Sequence, residues 1–322
     1  MDFDFDGNLD ILTGCYWTDG ENGAHLQILK GKGDMDFAAA ESVTNVAGKP
    51  LQNIEISGNE DPNLTKAICT QQHVVDYDGD GDLDIVMGCF SSQFYLYENT
   101  SDDSEKIEIS EKVTEIEIPG QAPGLHHSAP HLVDWDSDGD LDLLTGSSSG
   151  GAMISMNVGT RQEPKWSEFQ QLLDPSQVHE QFDGDEIKLG PSTRIWATDF
   201  NKDGLLDLLV GDSVTISKPK EGLTKEEWQE KKEAHQAEMM AFSQGQQKLM
   251  EECQQYTVDG KEMPKELEKK MQDYGNKFST LYSAQNEFQT QKRTGHVWVL
   301  LQKSKTTEIA TAKDSDVSQL GR

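Results

Sequence analysis

Residues 76–88 read DYDGDGDLDIVMG, a stretch that begins as an acidic loop and ends as an apolar strand. Counted from Asp76, carboxylates occupy positions 1, 3, 5, 7 and 9, and Gly81 occupies position 6. An EF-hand calcium loop has oxygen ligands at positions 1, 3 and 5, a glycine at 6, a main-chain carbonyl at 7 and a glutamate at 12. Position 12 is Met87 here, and the β-branched, apolar residues after Asp84 predict a strand. We therefore expect a calcium loop built between β-strands.

The same pattern recurs, and the four copies begin at Asp2, Asp76, Asp134 and Asp199. In each copy a carboxylate lies eight residues after the first one and a glycine lies twelve residues after it. A single copy is compatible with a solvated acidic turn, whereas four copies in phase favour cation-binding loops. We expect calcium to be bound by side chains or, at the seventh position, by the main-chain carbonyl of these residues: Asp2, Asp4, Asp6, Asn8, Asp10, Asp76, Asp78, Asp80, Asp82, Asp84, Asp134, Asp136, Asp138, Asp140, Asp142, Asp199, Asn201, Asp203, Leu205 and Asp207.

Composition excludes several other partners. Magnesium demands a smaller octahedron than calcium, and no set of cysteine or histidine ligands accompanies the loops, which disfavours zinc and iron. The net charge of the 322 residues is −30, from 58 acidic and 28 basic residues. This balance disfavours nucleic acid and anionic membrane surfaces as partners. The sequence also has no window that is long and apolar enough to predict a membrane span.

The cysteines and the amino terminus carry weaker information. Four cysteines are too few for a disulfide-framed fold. Buried thiols are the simplest interpretation, and a disulfide from Cys15 or Cys89 to Cys69 is the alternative. The first copy has only Met1 before its loop and shows no secretory signal, so we expect the sequence to begin inside a repeat.

The spacing of the loops predicts repeats of about 60–70 residues, which is typical of a propeller or a solenoid. Each period holds four candidate strands, as in one propeller blade. In the second period the predicted strands are 73–75, 83–87, 94–98 and 106–109, and in the third they are 131–133, 141–145, 152–156 and an edge near Trp166. The fold class is therefore all-β, with four recognisable blades.

These loops, DYDGDGDLDIVMG, DWDSDGDLDLLTG and DFNKDGLLDLLVG, resemble the FG-GAP/VCBS repeat family. The phrases 128–130 (SAP) and 157–160 (NVGT) are similar to that family too. The resemblance covers 1–212 and 296–301, and the family includes the propeller of integrin α-chains and many secreted bacterial proteins. It implies a calcium-loop β-propeller and an extracellular, cell-surface or periplasmic location. Because such propellers usually have about seven blades, it leaves open an incomplete ring.

The pattern changes to a helical one between the last loop and the last strand. Thr224 and Glu227 form a predicted capping box, and apolar residues then follow steps of three, four and seven. A second stripe, from Leu267 to Phe288, keeps the same register beyond the turn at Asp259 and Gly260. We expect an antiparallel coiled-coil hairpin at 217–293 inserted into blades at 1–216 and 294–310, and a flexible tail at 311–322. The hairpin offers a surface for self-association.

A ligand face is expected opposite the calcium loops. Aromatic, histidine and arginine side chains fall in segments on that side of the blades: Tyr16, Trp17, Phe90, His126, His127 and Arg194. They can bind a glycan or a protein, or they can simply cap the ends of the blades.

No GxSxG, HExxH or phosphate-cradling glycine motif is present, so the sequence favours a function other than catalysis. We expect a calcium-stabilised binding, adhesion or scaffold module. The alternative is a calcium-dependent carbohydrate-active enzyme, a lyase or a glycosidase, on a propeller scaffold.

Overall fold

A computed structural model of the chain describes residues 1–14, 25–52, 71–89, 93–103, 105–120, 127–176, 178, 180–182, 186–258 and 264–303. The strands within these residues are β1 (Ile11–Thr13), β2 (Gln27–Leu29), β3 (Glu41–Ser42), β4 (Gln71–Val75), β5 (Asp84–Gly88), β6 (Phe94–Asn99), β7 (Ile109–Glu115), β8 (Ala129–Val133), β9 (Asp142–Gly146), β10 (Ala152–Ser155), β11 (Gln170–Leu173), β12 (Glu180–Phe182), β13 (Arg194–Thr198), β14 (Asp207–Gly211), β15 (Val214–Pro219), β16 (Gln289–Thr294) and β17 (Val297–Leu300). The helices are α1 (Lys225–Val258), α2 (Lys265–Ala284) and a 3₁₀ turn at Gln285–Glu287.

The chain divides into two compact units. The first unit comprises 1–179, 188–213 and 295–322, and the second comprises 180–187 and 214–294. The first unit contains four small sheets, each built around one acidic loop, which we number as repeats 1 to 4. They hold β1–β3, β4–β7, β8–β11, and β13 with β14 and β17, respectively.

Neighbouring strands within each repeat follow the order of the chain. Repeat 2 has the strand order β4-β5-β6-β7, and every pair in it is antiparallel. In repeat 4 the chain leaves after β14 and returns with β17, which pairs antiparallel with β14 and places Val210 opposite Trp298. The strand predicted at 296–301 therefore rejoins the sheet of repeat 4 after the helices.

Successive apolar residues of one strand pack on opposite faces of its sheet, because the side chains of a strand alternate with a period of two. In β5, Ile85 and Met87 join the cluster shared with repeat 1, whereas Val86 joins the cluster shared with repeat 3. In β9, Leu143 packs toward repeat 2 and Leu144 toward repeat 4. Each described sheet is thus packed against the next one, and the core of the first unit lies between the sheets.

A reciprocal pair of hydrogen bonds joins repeat 2 to repeat 3, and an equivalent pair joins repeat 3 to repeat 4. The backbone N–H of Ser128 donates to the carbonyl of Cys89 at 2.9 Å, and the N–H of Cys89 donates to the Ser128 hydroxyl at 3.0 Å. Thr193 and Ser147 repeat this arrangement one sheet later, at 2.9 and 3.1 Å. The register between sheets is therefore fixed by polar contacts as well as by packing.

The outer strands lie later in the chain than the sequence predicts. The candidate at 106–109 is wrong for most of its length, because the outer strand of repeat 2 is β7. The Asn99 side chain accepts the N–H of Glu108 at 2.8 Å and donates to the carbonyl of Lys106 at 2.9 Å, which holds this segment as a loop. In repeat 3 the residue Trp166 forms an isolated bridge with Asn157, and the edge strand is β11.

The second unit combines a small sheet with the helical pair. Its sheet has the order β12-β15-β16, in which β12 is parallel to β15 and β16 is antiparallel to it. The capping box is confirmed: the N–H of Thr224 donates to the Glu227 carboxylate at 2.9 Å, and the N–H of Glu227 donates to the Thr224 hydroxyl at 3.2 Å. Neither described helix is both long enough and apolar enough to cross a membrane.

The side-chain contacts show that α1 and α2 are antiparallel. The predicted turn at Asp259 and Gly260 lies outside the described residues. Toward the end of α1, Leu249 and Cys253 pack with Leu267 near the start of α2, and Phe242, earlier in α1, contacts Phe278, later in α2, with 5.9 Å between ring centroids. The predicted stripe is only partly buried, because Met271 is 39% exposed and Phe278 is 45% exposed. The second stripe also outlasts its helix, since α2 ends at Ala284 and Phe288 follows the 3₁₀ turn.

Candidate metal centres

The four acidic loops share one backbone conformation. The glycine at position 6 has a positive φ in every copy, for example +97° at Gly81 and +100° at Gly139. Position 4 is also left-handed in every copy, with φ values of 59° at Phe5, 66° at Ser137 and 61° at Lys202. Because left-handed conformations are costly for residues other than glycine, their recurrence shows that the whole loop imposes this path. The glycine was predicted from the sequence, but position 4 was not.

Carboxylates converge in three of the loops. One oxygen from each of three side chains lies within 4.8 Å of the other two in the sets Asp2, Asp4, Asp10; Asp76, Asp78, Asp80; and Asp134, Asp136, Asp138. Two oxygens on opposite sides of one calcium ion are about 4.6–5.2 Å apart, so these sets have the dimensions of a shared cation site. No such set of carboxylates occurs in the fourth loop as far as it is described.

Several oxygens in these clusters are buried without a hydrogen-bond partner. Both carboxylate oxygens of Asp82 are in this state, and so is one oxygen of each of Asp140, Asp136 and Asp4. Since an unpaired carboxylate in a buried position is costly, such oxygens fit a bound cation that would pair with them. At position 7 we expected only the main-chain carbonyl to act, but the side chains of Asp82 and Asp140 interact with the carboxylates of their own loops as well.

The carboxylate at position 9 of each loop accepts hydrogen bonds from two backbone N–H groups and so connects the loop to its sheet. One oxygen of Asp84 accepts the N–H of Tyr77, at position 2, at 3.0 Å. The other oxygen accepts the N–H of Asn99, at the end of β6, at 2.8 Å. The same two bonds recur at Asp142, Asp207 and Asp10, whose side chains are as buried as that of Asp84. A hydrogen bond uses one lone pair of an oxygen, so this role leaves room for the predicted ligation.

The pKa of several loop carboxyls is raised, as expected for acidic groups that are buried close together. Burial, with the charges of Asp84, Asp80 and Asp78, raises the pKa of the Asp82 carboxyl to about 7. Burial also raises the pKa of Asp84 and Asp142 to about 6, although the amide bonds just described oppose that shift. The pKa of Asp140 is raised by burial and by its acidic neighbours. A divalent cation would favour the ionised form of all four groups.

The loops are not equivalent. In the fourth loop the Asn201 amide donates to the Asp203 carboxylate at 2.9 Å, so one of its potential ligands is paired internally. In the second loop Arg161, which comes from repeat 3, lies 3.8 Å from the Asp76 carboxylate and also donates to the Asp76 main-chain carbonyl. A guanidinium therefore already compensates part of the negative charge of loop 2.

The predicted ligand face is described only in part. Tyr16, Trp17, Phe90 and His126 lie outside the described residues. His127 has a left-handed φ of 54° immediately before the bridging residue Ser128. The Arg194 guanidinium donates to the carbonyl of Thr193 at 2.8 Å and to the Gln71 side chain of repeat 2 at 3.3 Å. For Arg194 these contacts fit the alternative, a residue that caps the end of its strand, and ligand binding by this face stays a prediction.

The first strands of repeats 2, 3 and 4 meet through an aromatic cluster that the sequence did not suggest. His73, His131 and Trp196 each lie three residues before a loop, and the His131 ring centroid lies 4.7 Å from that of His73 and 4.5 Å from that of Trp196. His131 Nε2 accepts the N–H of Ala197 at 3.0 Å. Burial lowers the pKa of His73 to about 4 and that of His131 to about 3, so both rings are neutral at physiological pH.

Comparison with known proteins supports the repeat assignment. Residues 76–145 match the family model described as an FG-GAP-like repeat, and this segment contains the second and third loops with the strands between them. A search of curated proteins gave no match to the chain. The chain therefore contains an FG-GAP-like repeat and is consistent with an FG-GAP/VCBS repeat protein.

Proposed function

We propose that this chain is a calcium-stabilised β-propeller that serves as a non-catalytic binding, adhesion or scaffold module outside the cytoplasm, similar to the propeller of integrin α-chains. The observation that carries the calcium assignment is the Asp82 side chain, which is 3% exposed and has two oxygens without a hydrogen-bond partner. Three other carboxylates of the same loop, those of Asp76, Asp78 and Asp80, converge on one point, and the charges of Asp78, Asp80 and Asp84 act on Asp82. A hard, oxygen-seeking cation is the partner that such a group lacks.

The propeller assignment is supported by the repeat geometry. Strands follow one another in chain order within each described sheet, and apolar clusters fill the space between successive sheets. The innermost strands approach one another at His73, His131 and Trp196. Radial packing of small antiparallel sheets around a common axis accounts for these contacts, which is why they support the propeller.

Thermal unfolding tests the calcium part. The melting temperature should rise with calcium and fall with a chelator, because binding to the folded state alone contributes about 2.7 kcal/mol per site at a hundredfold excess over Kd. Asp82→Asn should reduce this calcium-dependent rise. Asp102→Asn is the matched control, since Asp102 is exposed and lies outside the loops. An unchanged melting temperature in calcium, or equal effects of the two variants, would refute the proposal.

The ligand of the module is proposed to be a glycan or a protein that binds opposite the calcium loops. Binding on a glycan array or in a pull-down, without turnover of the bound material, would support a non-catalytic module. Depolymerisation of a bound polysaccharide would favour a carbohydrate-active enzyme instead.

The helical pair is proposed to be a coiled-coil arm for a partner or for self-association. Its support is an exposed aromatic pair on α2, where Phe278 and Tyr282 stack with 5.9 Å between centroids and are 45% and 58% exposed. The paired helices leave these rings uncovered, and exposed aromatic patches are typical of contact sites.

A further inference from the structure

Loop 2 differs from the other three loops at its first carboxylate. In loop 3 the two oxygens of Asp134 accept the N–H groups of positions 5 and 6, at 3.0 and 3.1 Å. The first carboxylates of loops 1 and 4 are held in the same way. In loop 2 one oxygen of Asp76 accepts the N–H of Gly79, at position 4, at 2.7 Å, and the other oxygen lies 3.8 Å from the Arg161 guanidinium. The first carboxylate of loop 2 therefore has a partner in repeat 3.

A glycine at position 4 makes room for this arginine. The other loops have larger residues at that position: Phe5, Ser137 and Lys202. A Cβ at Gly79 would lie 3.1 Å from Arg161 Cγ and 3.3 Å from Arg161 Nε. Because non-bonded carbon atoms are normally about 3.5–4.0 Å apart, any side chain here would push the arginine away from the loop. The loop that has a glycine at position 4 is thus the loop that an arginine of the next repeat approaches.

A short turn fixes the place of Arg161. The N–H of Thr160 donates to the carbonyl of Glu163 at 3.2 Å, and the N–H of Glu163 donates to the Thr160 hydroxyl at 3.1 Å. The Asn157 amide donates to the carbonyl of Thr160 at 3.2 Å, which ties the turn to the end of the third strand of repeat 3. The Arg161 side chain is 25% exposed, and its Nε is buried without a hydrogen-bond partner. The guanidinium is therefore held beside loop 2.

The guanidinium and a bound cation would share one carboxylate. Asp76 is one of the three residues whose oxygens converge in loop 2, together with Asp78 and Asp80. Arg161 contacts Asp76 twice, through the carboxylate and through the main-chain carbonyl, to which the guanidinium donates. Arginine stays charged in proteins, so this contact cannot be relieved by loss of a proton. Arg161 therefore stabilises loop 2 without a cation, and its charge opposes a second cation at the same carboxylate.

We propose that Arg161 sets the calcium affinity of loop 2 by acting as a competing cation supplied by the next repeat. This inference rests on the proposed function, because it takes loops 2 and 3 to be calcium sites. Loop 3 has the same five carboxylates, and no described lysine or arginine pairs with its Asp134. Loop 2 therefore binds calcium more weakly than loop 3.

The competition also acts in the reverse direction. If Arg161 weakens calcium binding at loop 2 by some factor, calcium weakens the contact of Arg161 with Asp76 by the same factor, because the coupling of two binding events is reciprocal. Occupation of loop 2 should then loosen one polar contact between repeats 2 and 3. The junction between these repeats is therefore expected to respond to the calcium concentration.

Calcium titrations followed by NMR test the proposal one loop at a time. The N–H groups of Gly81 and Gly139, at position 6 of loops 2 and 3, give one signal for each site. Asp78→Ala and Asp136→Ala assign these signals, because each variant removes a carboxylate of one loop. In the native chain the response of Gly81 should require more calcium than that of Gly139.

The decisive variant is Arg161→Gln. It should tighten calcium binding at Gly81 by about tenfold and leave binding at Gly139 unchanged. In chelator it should lower the melting temperature, because the partner of Asp76 is lost, and in calcium this deficit should shrink. Lys112→Gln is the matched control, since it also removes one positive charge but from an exposed place on β7.

Two further variants separate the charge of Arg161 from its packing. Arg161→Lys keeps the charge and should keep the weak binding of the native chain. The difference between the native chain and Arg161→Gln should also decrease from about 0.05 M to about 0.5 M salt, because salt screens charge and not packing. Gly79→Ser introduces the residue that loop 3 has at position 4, so it should displace the guanidinium and tighten binding at Gly81. It tests the same contact from the side of loop 2 if Arg161→Gln impairs folding.

The outcomes distinguish this inference from the proposed function. If neither Gly81 nor Gly139 responds to calcium, the proposed function is wrong and this inference is wrong with it. If Gly139 responds and binding at Gly81 is unchanged or weaker in Arg161→Gln, only the inference is overturned. Tighter binding that Arg161→Lys shares also overturns it, because the effect would then come from lost packing.

Discussion

The Asp142 carboxylate accepts the backbone N–H of Asn157 at 2.9 Å and thereby joins the acidic loop of repeat 3 to the end of β10. Its second oxygen accepts the N–H of Trp135 at 3.0 Å. Loop and sheet are therefore held together by a buried carboxylate that does not depend on a metal for its partners. The loop of repeat 3 therefore contains two kinds of aspartate. Asp142 binds backbone N–H groups, whereas Asp134, Asp136 and Asp138 place their oxygens around the candidate cation site.

The first prediction compares Asp142→Ala with Asp136→Ala. Asp142→Ala leaves two backbone N–H groups without acceptors and should lower the free energy of unfolding by about 2 kcal/mol even in chelator. Asp136→Ala should leave the stability in chelator unchanged or slightly higher, because it removes a repelling charge, and should reduce only the gain from calcium. Chemical denaturation with and without calcium measures both. Equal losses in chelator would contradict the distinction.

The second prediction concerns the glycine that ends each strand after the loop. A Cβ at Gly146 would lie 2.4 Å from the carbonyl oxygen of Thr193, whereas at Gly211 the nearest atom is the carbonyl oxygen of Arg194 at 3.7 Å. Gly146→Ala should therefore cost about 1–3 kcal/mol, because repeats 3 and 4 must move apart. Gly211→Ala serves as the matched control and should change stability by less than about 1 kcal/mol. Similar melting temperatures for the two variants would refute this account of the junction.

Part of this architecture could be predicted from sequence because it is local. The four acidic loops, the glycine at position 6 and the strand after each loop follow from spacing within thirteen residues. The outer strands could not be placed in the same way. The sequence of β7 is ISEKVTE, whose pattern is largely polar because an edge strand faces solvent, so hydrophobic periodicity gives little signal.

The role of position 9 was missed although the sequence carries a trace of it. An aromatic residue stands at position 2 in every loop. An asparagine ends the third strand of repeat 2, at Asn99, and another follows the third strand of repeat 3, at Asn157. These recurrences mark the residues whose N–H groups the carboxylate binds. The parallel pairing of β12 with β15 has no comparable trace, because it joins segments more than thirty residues apart in the chain.

The third prediction concerns pH. The neutral ring of His131 accepts the N–H of Ala197, and burial lowers its pKa to about 3. Because a histidine in the unfolded chain titrates near 6.5, the unfolded state binds more protons below that pH, and stability is lost as the pH falls from about 6.5 toward 3. His131→Gln keeps an acceptor that does not titrate. Its melting temperature should therefore fall less than that of the native chain over this range.

The acidic loops change stability in the opposite sense, but they are common to both proteins and cancel in the difference. The melting temperature of the native chain minus that of His131→Gln should be constant above about pH 7 and decrease below about pH 6. A difference that does not vary with pH would show that the ring is not held neutral by its surroundings.

The last prediction concerns the helical pair. The N–H of Lys220 donates to the carbonyl of Phe288 at 3.0 Å, and β15 and β16 pair up to Pro219 and Gln289, so the chain enters and leaves the helices at adjacent points. Replacing 221–287 by a short Gly-Ser turn should therefore close the β15–β16 ribbon without strain.

The first unit should remain folded after this deletion, because the two points at which its chain leaves and returns are hydrogen-bonded to each other. The N–H of Asp212 donates to the carbonyl of His296 at 3.0 Å, and the N–H of His296 donates to the Asp212 carboxylate at 2.7 Å. Calcium-dependent melting should persist. Any partner binding through Phe278 and Tyr282 should disappear. Phe278→Ser with Tyr282→Ser in the full chain is the matched control, since it removes the aromatic pair and keeps the helices. Loss of the calcium-dependent transition in the deletion, but not in this double variant, would show that the helices are part of the folding core.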